Sequence, residues 1–198
     1  MFSDDLISSQ IKEKRWSKLL QFLSTKNTCN PRLLSQQKNS VESPSPLLLA
    51  CKYAPPSYVI MALTKMHPES TGEEDGEGML PLHVACACGA PPKAILTLLL
   101  AYQDAAWQKD KNGMLPIHIV CQVYLEKLIQ RGVTETQAYE AFIDVLHHLI
   151  QVAPSTILEV DEMGRCPIEH TLESDAKIEI VRALQKQSQK VRKLNEVC

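Results

Sequence analysis

One phrase occurs twice in this chain at a fixed offset, and that limits what it can fold into. "DGEGMLPLHVAC" begins at Asp75 and "DKNGMLPIHIVC" at Asp110, 35 residues later. Asp, Gly, Met, Leu, Pro, His and Cys return in register, with Leu82/Ile117 and Val84/Ile119 as equivalent apolar choices. One period upstream, "SPLLLAC" puts Pro46 and Cys51 where Pro81 and Cys86 fall. Downstream, "DEMGRCPIEH" restores the Asp-x-x-Gly-x-x-Pro frame at Asp161, 51 residues after Asp110, so the third copy carries 16 extra residues. A recurrent unit of this length points to copies that stack side by side.

Each copy repeats one physical plan. Asp-x-x-Gly is turn chemistry: the carboxylate can hold backbone N–H groups, and Gly78, Gly113 and Gly164 tolerate positive φ. Pro46, Pro81, Pro116 and Pro167 suit the first position of a helix, where a missing N–H costs nothing. The spacing predicts a short helix from Leu82 to Cys88, a break at "GAPP", and a second helix from Lys93 to Tyr102 burying Ile95, Leu98 and Leu99. Such a unit cannot cover its own apolar face, so its neighbours must.

Gly-Met-Leu-Pro-Leu-His-Val-Ala-Cys-Ala-Cys-Gly resembles the ankyrin repeat, whose motif reads Gly-x-Thr-Pro-Leu-His-x-Ala-Ala-x-x-Gly. The match covers roughly residues 45–184. The Leu-Pro-Leu-His and Gly-Ala-Pro wording is similar to a variant found in some algal ankyrin proteins. The resemblance implies an all-α, ankyrin-like helical-repeat solenoid with short β-hairpin-like fingers. It also makes His83 and His118 structural hydrogen-bonding residues at the helix starts. The family's Thr is replaced by Leu80, Leu115 and Cys166, the first copy has Leu48 in place of His, and the last has Glu169. The Thr–His pair is therefore complete in no copy, and His83 and His118 are expected to be held loosely.

The ends should cap the stack with polar outer faces. Trp16, Leu19, Leu20 and Leu23 fall on one side of a helix, with Lys12, Lys14, Arg15 and Lys18 in water. Residues 1–44 are expected to form this capping helix and a connector, as a degenerate repeat. The repeats follow over 45–185, with an extended, projecting helical hairpin at about 122–150. Within it, Gly132 ends one helix and Thr134 with Gln137 opens the next, buried along Ala138, Phe142, Val145, Leu146 and Leu149. Ile178, Val181 and Leu184 close the last copy, and 186–198 read as a basic tail, a solvated, fraying helix end whose cations Lys186, Lys190, Arg192 and Lys193 suit the C-terminal dipole.

Composition removes several classes of function. The net charge is −2 with both signs dispersed, and aromatic residues make up 5%, which argues against nucleic acid as the partner. The longest apolar run, Ala94 to Ala101, is too short for a membrane span. The acidic start does not fit a secretory signal, and the odd count of seven cysteines does not suggest a disulfide framework. An intracellular location, cytoplasmic or nuclear, is expected. His83, Cys86 and Cys88 have spacing that could bind a metal, but Cys86 recurs as Cys51 and Cys121, as a small buried core residue would. Adjacent His147 and His148 diverge by about 100° and cannot share a metal. The acidic run Glu73, Glu74, Asp75 and Glu77 lacks the twelfth-position acid of a calcium loop. No catalytic motif is present, and no metal or cofactor is expected.

The resemblance then implies a non-catalytic adaptor or scaffold that binds an unidentified protein on a concave surface. By position, its fingers supply Glu77, Met79, Lys111, Asn112, Met114, Met163 and Arg165. Its first helices supply Lys52, Tyr53, Ala87, Cys88, Gln122 and Val123, with Tyr53, Met79 and Met114 as anchors. Two alternatives stand beside this reading. One is a regulatory or targeting subunit whose basic tail contacts nucleic acid or acidic proteins. The other is a thiol- or metal-dependent enzyme using Cys88.

Overall fold

A computed structural model of the chain describes residues 9–19, 21, 45–174 and 176–195. These residues are helical with no strand among them. The first helices of the copies are α1 (Pro46–Lys52), α3 (Pro81–Ala87), α5 (Pro116–Ile119) and α8 (Pro167–Glu173). The second helices are α2 (Ser57–Met66), α4 (Pro92–Ala101), α7 (Glu135–Val152) and α9 (Ile178–Asn195). A 3-10 turn follows each of α2, α4 and α7, at Pro68–Gly72, Gln103–Trp107 and Pro154–Leu158. Both helices and the 3-10 turn of the copy that starts at Pro81 sit 35 positions after those that start at Pro46.

Proline fixes these boundaries. Pro46, Pro81, Pro116 and Pro167 each open a first helix at a position whose N–H has no intrahelical acceptor. Leu82, Val84, Ala85 and Cys86 are then buried along α3, and Ala94, Ile95, Leu98 and Leu99 along α4. Consecutive first helices touch, α1 with α3 and α3 with α5, and the second helices α2, α4 and α7 touch in turn. The apolar face that one pair of helices cannot cover is covered by the next pair. Each fully buried Leu or Ile in these seams contributes about 1.5–3 kcal/mol.

The sixteen extra residues lengthen the third copy. After α5 the chain passes through a π-helical turn (Val120–Tyr124) into α6 (Leu125–Gln130). It turns at Gly132, which has φ +83°, and returns as α7. The Thr134 hydroxyl accepts from the Gln137 N–H at 3.4 Å, and α7 buries Ala138, Phe142, Val145, Leu146 and Leu149. The hairpin does not stand free. Arg131, at its tip, donates to the carbonyls of Cys88 (3.2 Å), Gly89 (3.4 Å) and Ala54 (3.3 Å), at the ends of the two preceding first helices. Tyr124, fully buried, donates its hydroxyl to Ala90 O at 2.7 Å.

Three expectations need correction. The β-hairpin-like fingers are not strands among the described residues; they are single tight turns, described below. Ile178 is 53% exposed, and Ile180 takes its place in the core beside Val181 and Leu184. Burying Ile180, Val181, Leu184 and Val191 on one face of α9 leaves Ile178 turned outward. The stretch from Lys186 to Asn195 continues the helix as expected, with Lys186, Lys190, Arg192 and Lys193 facing water, but it is not wholly solvated, since Ser188 and Val191 are buried. At the other end, residues 9–12 and 16–19 are helical, Ile11 and Leu19 are buried, and Lys12, Lys14, Arg15 and Lys18 are exposed. Leu20 and Leu23 lie outside the described residues.

Candidate partner-binding surface

The three fingers share one hydrogen-bond scheme. Asp75 Oδ1 accepts from the N–H groups of Glu77 (2.9 Å) and Met79 (3.0 Å). Asp110 Oδ1 does the same for Asn112 (2.8 Å) and Met114 (2.9 Å), and Asp161 Oδ1 for Met163 and Arg165 (both 2.9 Å). In each finger the Gly N–H closes the turn on the Asp carbonyl, and the Asp N–H reaches the carbonyl four residues on. One carboxylate therefore does the work that a second strand would do, which is why no ladder is needed. Burial raises the Asp161 pKa, but the Arg165 N–H, His170, the Met163 N–H and the Arg165 charge outweigh it and hold the carboxyl below its ordinary range.

Neighbouring fingers are joined by single backbone rungs, Lys111 N–H to Glu77 O and Glu162 N–H to Asn112 O, both at 3.1 Å. The Lys111 ammonium also donates to Gly76 O. The rungs align the finger tips in a row and fix the spacing of whatever those tips present.

His83 and His118 tie each first helix to the segment that leads into the next finger. The Leu80 N–H donates to His83 Nδ1 (3.3 Å) and the Leu115 N–H to His118 Nδ1 (3.1 Å). Because Nδ1 accepts, the proton sits on Nε2, which donates to Gln108 O (3.0 Å) and Glu159 O (3.1 Å), in the segment that closes each copy just before the next finger. Both rings are fully buried, so the expected looseness is corrected: the N-cap N–H and the next loop's carbonyl clamp each imidazole without the missing hydroxyl. Burial, opposed by the carbonyl bond, holds both below the ordinary histidine range. In the last copy Glu169 keeps only the capping half, accepting from the Cys166 N–H at 2.6 Å.

The sequence candidates are placed unequally. Lys52, Glu77, Lys111, Asn112 and Met163 are exposed, Met163 by 77%. Lys52 Nζ lies 3.9 Å from Asp75 Oδ2, bringing the end of α1 next to the first finger. Tyr53, Met79, Met114, Ala87, Cys88 and Val123 are half-buried against the core, and Gln122 is half-buried beside Val123 in the π turn. Arg165 is pinned by Glu173 (3.0 Å) and Asp161 (3.4 Å).

Burial governs the thiols. It pushes Cys51 and Cys86 well above the ordinary range and Cys121 up to about 12. It also raises Cys88, and the opposing charges of Lys52, Arg131 and Lys127 are too weak to reverse this. All five described cysteines are free thiols. No three His, Cys, Asp or Glu side chains among the described residues are grouped to hold a metal. No described helix is long and apolar enough to cross a membrane. His147 is exposed and His148 half-buried.

Sequence reading missed Arg131 and His170. A lone exposed Arg after a helix carries no signal for contacts with carbonyls 42 to 77 residues away. His170 is fully buried, donates to Asp161 Oδ2 (2.9 Å), and meets the His118 ring edge-on at 5.7 Å. Its adjacency to Glu169, the residue at the motif's His position, was the one available hint. No protein-family model matches this chain, and no curated protein matches it.

Proposed function

We propose that this chain is an ankyrin-like stack of copies serving as a non-catalytic protein-binding module. The observation that carries the reading is the row of fingers. Three Asp-anchored turns, joined rung to rung, hold solvent-facing side chains of differing chemistry at equivalent positions. The invariant side chains of each turn point into its own hydrogen bonds, while Glu77, Asn112 and Met163 vary and face water. A scaffold held constant beneath a variable edge suits recognition by shape, with the ordering cost met during folding. The elevated Cys88 thiol gives the enzymatic alternative no activated nucleophile.

The test compares the native chain with Tyr53→Ala/Met163→Ala as baits in cells that make the protein. Loss of at least tenfold of a specifically captured protein, with the unfolding midpoint nearly unchanged, is the expected result. Equal capture by both baits would remove the finger edge as the binding surface.

A further inference from the structure

The second helices α2, α4 and α7 pack in direct succession, but α7 and α9 do not approach as closely. They leave an open groove of about 720 Å³. Its floor is apolar: Ile143, Leu146 and Ile150 from α7, and Ile180, Ala183 and Leu184 from α9. Ile143, which lines it, is 44% exposed. Lys186, Lys190 and Lys193 line the α9 wall at i, i+4 and i+7, and none of the three is ion-paired among the described residues. Ile143, His147 and Ile180 also border a second open depression. There Lys177 bridges to Glu135 (3.3 Å) and sits 4.1 Å above the Tyr139 ring, beside Glu140, Asp144 and Glu179.

We propose that this groove binds an amphipathic helix of a partner protein, with carboxylates along the flank that meets Lys186, Lys190 and Lys193. The occupant follows from three features. Two helices form the walls, so no strand edge offers backbone pairing, and a ligand must bring its own satisfied backbone, as a helix does. Apolar side chains at i, i+3, i+4 and i+7 of such a helix match a floor of Ile and Leu. The unneutralised cations on one wall call for acids on the corresponding flank. Nucleic acid fits poorly, because the nearby Tyr139 ring is engaged by Lys177 and the carboxylates of Glu140, Asp144 and Glu179 repel phosphate. The site is made by second helices and is independent of the finger edge.

Three fluorescein-labelled probes test this on the full chain: an 18-residue helical peptide with a leucine stripe flanked by Glu, its twin with Lys for Glu, and a 20-nucleotide oligothymidylate. The acidic peptide should bind at least tenfold more tightly than its twin and than the oligonucleotide. Ile143→Asp should weaken it at least tenfold and Lys186→Glu/Lys190→Glu at least fivefold, while Met163→Ala leaves it unchanged. All the substituted side chains are exposed, and far-ultraviolet circular dichroism checks that each variant stays folded. Three results would overturn the proposal: equal binding of the two peptides, no loss in folded Ile143→Asp, or oligonucleotide binding as the tightest. So would self-association that Ile143→Asp abolishes while neither peptide binds.

Discussion

Gly113 and Gly164 hold the same place in successive fingers, with φ of +70° and +77°, yet their surroundings differ. A Cβ at Gly113 would meet the Glu162 backbone nitrogen at 2.9 Å, whereas at Gly164 it would meet nothing within 4 Å. The first glycine allows the next finger to approach; the second has no described finger after it. Gly164→Ala should cost about 1 kcal/mol of left-handed strain, and Gly113→Ala about 1–3 kcal/mol more, since backbone must move. Urea unfolding of the two variants measures the difference. His83 and His118 act at the same scale. An unfolded chain protonates them from about pH 6.5 downward, while burial holds the folded rings below that value. The unfolded state therefore binds more protons, so stability is complete above about pH 6.5 and is lost as pH falls towards the folded-state values. The unfolding free energy from urea titration should fall between pH 7 and pH 5, and His83→Gln/His118→Gln should flatten that slope.

At the scale of elements, the third copy shows how an insertion is absorbed. The π turn at Val120–Tyr124 adds slack inside a continuous helix, and Tyr124 and Arg131 then fasten the lengthened hairpin to carbonyls of earlier copies. Arg131 is exposed, so Arg131→Ala should cost only about 1 kcal/mol, with faster amide exchange concentrated in residues 126–137. Arg131→Lys should not restore it, because one ammonium cannot span three carbonyls on two helix ends. Much at this scale was legible in the sequence. The stripe from Ala138 to Leu149 and the Asp-x-x-Gly turns depend on local periodicity and local hydrogen bonds. The Arg131 contacts, the π turn and the histidine-to-carbonyl links join residues far apart in the chain, and pattern reading does not register them. The α9 face was misread because Ser188 interrupts an apolar stripe that Val191 then completes.

For the whole molecule, finger rungs join neighbouring copies, and imidazole bridges tie each first helix to the segment that leads into the next finger. The Gln108 and Glu159 acceptors lie 25 and 41 residues after their histidines, so the bridge keeps its register across the sixteen-residue insertion. Glu169 ends the series by keeping the cap and giving up the bridge. The candidate surface was only partly readable, because spacing gives position along a finger but not whether Met79 and Met114 turn inward or Met163 outward.

The central claim is that neighbouring copies are locked together, so that the recurring side chains serve stacking and leave the finger tips free to bind. Amide hydrogen exchange at Lys111 and Glu162 tests it most directly, since their N–H groups form the two rungs although both residues are exposed. The account predicts exchange slowed by about a hundredfold or more relative to an unstructured peptide. Exchange at free-peptide rates at both positions would contradict it.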